Sequence, residues 1–510
     1  MTQEQPAQGS SYLWVVAAAC AGVFAVAYNT VAVMTALPAM KSSLDLNVDT
    51  VQWVVGLYML GAATSLAALG HFADMFGLVR IFFVGLAVFA IGAIAIAFAD
   101  DAVFVLVGRA FQGIGAAGLM ATAVAMISVA SPQEKRGAGL GMFAAAVAFG
   151  FALGPLIGGI LTDVVSWRAI FALDLANVVV AALICLVAAR RKLVPQALES
   201  GTRIDYAGIV LLVVGLGTFL YGLTSGQLTG WTSLQTLALF GVAAASAIAF
   251  AVRELRANDP LINFHFFRQA DYVASTAGMF SLGFGLIGVL LFINLFLQAP
   301  DGFGFSASKA GLALLAFTGA MFVVSLSAPR LLDPDALRWP VTAGMLMLAV
   351  GFWLARDPGT YEDLWWKLMM MGAGVGLCQS LLPRVGLSAL PDASAGQGSG
   401  VINSCFYAGL AIGTAVGGVV TSQIRRGVID PVVERLAPAA DTGTLEATLV
   451  HGSPSEVTRA LGQFSSGDVD KIKTVMQSVY DSAFAGVMET MAVMALAGAV
   501  LCVVFIGKRN

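Results

Sequence analysis

The sequence predicts an all-α polytopic membrane protein with fourteen membrane-spanning helices, on three observations. Of 510 residues, 58% are hydrophobic and 11% charged, well below the quarter or so that soluble chains carry. Apolar windows of about 20 residues, the length a helix needs to cross a bilayer, recur along the whole chain. One of them, VLVGRAFQGIGAAG from Val105, holds a lone arginine among closely spaced glycines. A charge in hydrocarbon costs at least a few kcal/mol, so Arg109 needs a partner or a function. The small residues let helix backbones approach closely.

Taken in order, the first apolar run, near 12–38, follows a segment without Lys or Arg and shows no small-residue cleavage site, so it reads as a retained span. Windows near 51–70, 81–99, 103–129, 137–162 and 167–189 follow, then two near 206–225 and 233–252. Six more lie near 272–298, 308–331, 339–356, 364–390, 396–422 and 481–506. An even number of spans puts both termini on one side. With that side cytoplasmic, its loops carry Arg80, Lys135, Arg136, Arg190, Arg191, Lys192, Arg203, Arg253, Arg256, Arg268, Arg330, Arg338, Arg384, Lys508 and Arg509. The short loops opposite carry Lys41, Arg168, Lys309, Arg356 and Lys367. This excess predicts cytoplasmic termini. The long external loop before the last span, 423–480, contains SPSEV, which reads as a helix start with Ser453 as cap, Pro454 first and Glu456 third. It is either a small external cap or a solvated loop with no part in function.

Several function classes find no support. A net charge of −3 provides no basic stripe for nucleic acid. Cys20, Cys185, Cys378, Cys405 and Cys502 all fall in apolar runs without a CxxC pair, and His71, His265 and His451 are far apart, so no disulfide framework, metal site or cofactor is predicted. There is no GxxxxGK[ST] motif for ATP. An enzyme would need a nucleophile, acid pair or metal cluster at one depth, and none is found.

Motifs recur in the loops and helices. GHFADMFGLVR places Asp74 near a helix end and Arg80 at the next helix start, and PRLLDPDALR, with Asp333 and Arg338, is a weaker copy in the second half. GRAFQGIGAAG and GFALGPLIGGIL follow the first of these. In order, they resemble the loop and helix motifs of the major facilitator superfamily. NTVAVMTALP, SWRAIFALDLAN, IDYAG, PLINFHFF and GQGSGVIN extend the resemblance, over nearly the whole chain, to the fourteen-helix drug:proton antiporter branch.

That resemblance implies two six-helix bundles around a central cavity, 1–192 and 260–510, with two extra spans in a linker at 193–259 and the 423–480 loop in the second bundle. Rocking of the halves would give alternating access. Asp74 and Arg80, with Asp333 and Arg338 in the copy, would close the gate, although Met75, Leu78 and Val79 stand where the family usually has basic residues. Arg109 and Gln112 match the span-four motif, whose arginine is thought to help couple proton movement to transport. Gly150, Gly154, Pro155, Gly158 and Gly159 match the span-five antiporter motif, read either as a functional bend or as close helix packing. Asn29 stands where the family usually has an aspartate, which removes the usual counter-ion of Arg109.

Two acids remain inside spans. Counting 1.5 Å per residue, Asp174 lies about 10 Å and Glu489 about 12 Å from the external ends of their helices, and Arg109 about 9 Å from its own. All three could share one level, as could Asn29, about 25 Å along span one. An intramembrane carboxylate is a functional candidate, and Asp174 is the first choice as proton acceptor and partner of Arg109. The alternatives are a permanent ion pair for Asp174 and an interface-facing acid for Glu489, which could instead face the cavity and recognise a cation. Asn29, Gln112, Trp53, Tyr58, Phe151, Asn177, Asn294, Gln298, Gln379, Asn403, Tyr407 and Glu489 are candidate substrate contacts. For Asn177, Asn294, Gln298, Gln379 and Asn403, hydrogen bonding between helices alone is the more common explanation.

The expectation is a monomeric secondary transporter of a bacterial inner membrane, exporting amphipathic, cationic or lipophilic compounds in exchange for protons. Its partners would be a small amphipathic or lipid-like substrate, protons and the bilayer. The alternative is a lipid or endogenous-metabolite exporter or facilitator with weak or no proton coupling, favoured by Asn29 and the thinned gate motif.

Overall fold

The computed structural model describes residues 12–507 except 192, 195–204, 258–259, 301, 333–335, 392–393, 437–447, 450, 463 and 465. Its regular structure among the described residues is helical. Six helices come first: α1 (Tyr12–Ser43), α2 (Val48–Phe76), α3 (Leu78–Ala97), α4 (Ala102–Ala130), α5 (Gln133–Val164) and α6 (Arg168–Arg190). A hairpin of α7 (Tyr206–Thr229) and α8 (Leu234–Glu254) follows. The last six are α9 (Ala270–Gln298, with a π turn at Gly288–Ile293), α10 (Ala307–Leu331, interrupted at Leu314), α11 (Arg338–Ala355), α12 (Tyr361–Ser388), α13 (Ala395–Leu436) and α14 (Ser466–Phe505). A short cap helix, Pro454–Leu461, lies before α14.

Polar side chains start these apolar helices by satisfying their first amides. Asn47 accepts from Thr50, Asp101 from Phe104, Asp205 from Gly208 and Ser306 from Lys309. Gly77, at φ 97°, makes the turn between α2 and α3. The cap helix has the expected capping box of Ser453 and Glu456 with Pro454 at its start.

The order of packing repeats. In the first six helices α1 packs on α4, α5 and α6, α4 packs on α2 and α3, and α3 packs on α6. Shifting every number by eight gives the second six: α9 packs on α12, α13 and α14, α12 on α10 and α11, and α11 on α14. This is the pattern of two bundles related as parallel repeats. The bundles meet along two seams, α2 with α13 and α5 with α10. Helix α7 lies over the first seam, touching α2 and α13, with Ser422 Oγ donating to Gln227 Oε1 at 2.8 Å.

The seams are closed on the side that bears the cap helix. There Gln298 Nε2 donates to the Thr35 carbonyl at 3.0 Å, the Ser308 amide to Asp163 at 2.8 Å and, deeper, Thr318 Oγ1 to the Ala152 carbonyl at 3.0 Å. The cap adds further cross-bundle bonds. Asp45, in the α1–α2 turn, accepts from the Ser455 amide at 3.0 Å, from Ser453 Oγ at 3.1 Å and from Ser455 Oγ, while His451 Nδ1 lies 3.2 Å from Asp49 Oδ1. On the opposite side, where α1 begins and α14 ends, the six consecutive α5 residues 133–138 are all exposed, with Lys135 over the Tyr12 ring of α1.

The predicted spans are all present as helices, with different ends. Helix α13 runs fourteen residues past the predicted end at 422, and α14 starts fifteen before 481. These extensions are polar helix that a hydropathy window does not include.

Candidate functional site

Arg109 is fully buried, and every polar contact it makes is to a neutral oxygen. Its Nε donates to the Val54 carbonyl at 2.9 Å, and Nη1 donates to Asn29 Oδ1 at 2.7 Å and Gln112 Oε1 at 3.0 Å. The guanidinium lies 4.2 Å from the centre of the Tyr58 ring, in cation–π position. The Tyr58 hydroxyl in turn lies 3.0 Å from Thr30 Oγ1. Helices α1, α2 and α4 can crowd here because Gly113 of α4 faces the backbone of Tyr58, where a Cβ would come within 2.2 Å of the carbonyl oxygen.

Asp174 is also fully buried, and it does not touch the guanidinium. Its Oδ2 accepts from Asn29 Nδ2 at 2.5 Å and from Gln112 Nε2 at 3.2 Å. Each amide therefore presents its oxygen to Arg109 and its nitrogen to Asp174. An arginine only donates and an ionised carboxylate only accepts, so their chemistry fixes both amide orientations. Direct contact between Arg109 and Asp174 was the expectation; the structure instead separates them by two bridging amides. Among the described residues, the buried Asp174 Oδ1 and Arg109 Nη2 atoms have no hydrogen-bond partner, nor do Tyr28 Oη and Asn177 Nδ2.

The other sequence candidates scatter. Glu489 lies at the surface, 48% exposed, with Oε1 3.5 Å from Arg356 Nη1, so it is not brought to Arg109. Asn294 is buried on α9 and accepts from Gln298 at 3.0 Å, and Gln298 also crosses to the first bundle. Among the described residues Asn403 bonds within its own helix, to Ser399, and Gln379 is half-buried. Trp53 lines a small crevice with Gln52, Gly56, Leu220, Thr224 and Thr414, under α7. Phe151 and Tyr407 are buried.

Of the gate candidates, Asp333 and the side chain of Asp74 lie outside the described residues. Arg80 is exposed, and Arg338 donates to the Val503 carbonyl at 2.6 Å, joining α11 to α14. The span-five motif packs on two sides. A Cβ at Gly150 or Gly154 would meet Ala27 at 2.8 Å or Val31 at 2.1 Å on α1, and one at Gly158 would meet the Ala32 carbonyl at 2.6 Å. Gly159 instead faces the other bundle, where a Cβ would come within 2.3 Å of the Ala307 carbonyl. Sequence reasoning missed its counterpart Gly311, whose Cβ would meet the Pro155 carbonyl at 2.2 Å, and it missed the Asp45, Asp49 and His451 contacts of the cap.

A family model described as Major Facilitator Superfamily matches residues 19–414. Multidrug resistance protein Stp of Mycobacterium tuberculosis is 31% identical over 422 residues, covering 82% of this chain and 77% of that protein. The tetracenomycin C resistance and export protein of Streptomyces glaucescens is 31% identical over 416 residues, covering 80% and 75%. Among solved structures, a bacterial homolog to human lysosomal transporter Spinster, in an inward-facing and unoccupied conformation, superposes with a TM-score of 0.63 at 15% identity, over 98% of this chain and 97% of that one. The last likeness concerns the fold alone.

Proposed function

The chain belongs to the major facilitator superfamily, an integral membrane transporter and not an enzyme, and from that premise we propose that it exports amphipathic, cationic or lipophilic small molecules in exchange for protons. The names of its relatives support drug export. The observation that carries proton exchange is Asp174, a carboxyl fully buried within the first bundle. A buried carboxylate without a direct cationic partner is costly in hydrocarbon, and taking a proton removes that cost.

The local geometry suits the step. Among the described residues Oδ1 has no partner and Oδ2 has two donors. A proton can settle on Oδ1 while Oδ2 keeps both hydrogen bonds, so uptake needs no rearrangement of the cluster. In the proposed cycle Asp174 gains a proton from water on the external side and loses it to water on the cytoplasmic side, each way as the seams open. The cap side is then external and the termini cytoplasmic, in a monomer of a bacterial inner membrane.

The test is ethidium flux from proteoliposomes under an imposed pH gradient, for wild type and Asp174→Asn. Gradient-driven flux that disappears in the variant is expected; flux unchanged in the variant overturns the assignment. A second reading, an exporter or facilitator of uncharged lipid-like cargo with weak or no proton coupling, is favoured by the surface position of Glu489 beside Arg356, which leaves that acid out of cation recognition. It predicts flux in wild type that ignores the pH gradient.

A further inference from the structure

We propose that Asn29 and Gln112 are positioning residues that hold Arg109 one amide away from Asp174 and so set the pH range over which Asp174 exchanges its proton. This rests on the reading of Asp174 as the exchanging group. It assigns the two amides a role within the coupling cluster, where the sequence left them as candidate substrate contacts.

The argument begins with what can bridge a cation and an anion. Among uncharged side chains an amide offers an acceptor at one end and donors at the other, and both amides here use both ends. A carboxylate in direct contact with a guanidinium titrates about one to three pH units lower than one without it. Such a group keeps its charge to lower pH and exchanges its proton over a lower range. With the amides between them, Arg109 still orients the cluster, while Asp174 is spared the contact.

Other groups near Asp174 do not supply an alternative ion pair. Helix α1 brings Asn29 and Tyr28, α2 brings Tyr58, and α4 brings Arg109 and Gln112. Helix α3 also packs on α6 but carries only Arg80, at its opposite end. From α5 the acid on the same side is Asp163, which accepts from the Ser308 amide of α10. On α6 itself Arg168 donates to the Ala99 carbonyl at 2.6 Å and stacks on Trp167.

Aspartate and asparagine share a heavy-atom shape, so exchanging them moves the carboxylate onto α1, in direct contact with Arg109, without changing the packing. The full chain is reconstituted, and gradient-driven ethidium flux is measured across a pH series for wild type, Asp174→Asn, the N29D/D174N exchange and Gln112→Leu. The exchange is expected to regain the flux that Asp174→Asn loses, with a midpoint about one to three pH units lower than wild type. Gln112→Leu removes one donor from the carboxylate and is expected to move the midpoint upward. An exchange variant that elutes as a single species yet regains no flux, or regains it with the wild-type midpoint, overturns the proposal. If the exchange variant does not purify as a single species, Gln112→Leu decides, and an unchanged midpoint there overturns it. Gradient-driven flux in Asp174→Asn alone is a different failure, since it removes the functional reading beneath.

Discussion

The two bundles pack their helices in the same order and place their charges in opposite ways. Helix α4 buries Arg109 completely, whereas its counterpart α12 keeps Lys367 and Arg384 near its ends, where they donate to the Asp357 and Pro329 carbonyls. Helix α6 buries Asp174, whereas its counterpart α14 turns Glu489 to the surface beside Arg356. Both bundles keep a fully buried asparagine on their first helix, Asn29 on α1 and Asn294 on α9. Among the described residues the second bundle buries a cation, Lys367, only near a helix end, and buries no acid, so this fold packs without a charge pair at mid-depth. The charges in the first bundle therefore stand as a cost that folding did not require, and function is the remaining reason to keep them.

That contrast is most exposed to failure in transport. Asp174→Asn is expected to lower gradient-driven flux at least about tenfold, the loss of a group that must titrate, while Glu489→Gln stays within about twofold. Equal losses would erase the distinction between the bundles. Stability gives the next largest contrast. Arg109→Leu removes the donor of three buried hydrogen bonds and is expected to cost about 3–5 kcal/mol, against about 1 kcal/mol or less for Arg356→Leu in its exposed pair. Thermal unfolding in detergent compares the two.

The seams provide a smaller effect. Gly159→Val forces a side chain onto the Ala307 carbonyl across the bundles and is expected to disfavour closure on the cap side by about 1–3 kcal/mol. Gly141→Val, with nothing within 4 Å of its Cβ position, should leave closure unchanged. Spin-label distances between Val164 and Leu312 read the difference.

The smallest effect lies in the cap. The hydroxyl and amide of Ser455, helped by Ser453 and the charge of Arg459, hold the Asp45 carboxyl below its ordinary value. A lowered value in the folded state means that the cap's contribution is complete above the unfolded value of about 3.9 and is lost as pH falls through the folded one. Protection of the Pro454–Leu461 amides relative to their intrinsic exchange rates should therefore stay high at pH 5 and above and fall only in stronger acid. Asp45→Ala should make that protection low at every pH.

Hydropathy made the depth of residues legible and left their facing direction unread. The fourteen helices follow from apolar windows, and the charges of Arg109 and Asp174 announce themselves because nothing around them is polar. Asp174 and Glu489 have the same signature along the chain, an acid about 10 Å inside a span, yet one faces the bundle interior and the other the surface. That difference is a rotation about the helix axis, fixed by which neighbour each helix packs against. The amide bridge was hidden for the same reason, since Asn29, Gln112 and Asp174 come from three helices. The cap contacts join Asp45 and Asp49 to residues about 400 positions later, beyond any local pattern.

The central claim is that substrate and proton exchange at Asp174, and proton release on substrate binding tests it most directly. Ethidium is added to the purified chain in weakly buffered detergent solution, and the pH change is followed. Release of protons by wild type and none by Asp174→Asn, with ethidium still bound, is the result this account predicts. Equal release by both, or no release by wild type that binds ethidium, would contradict it.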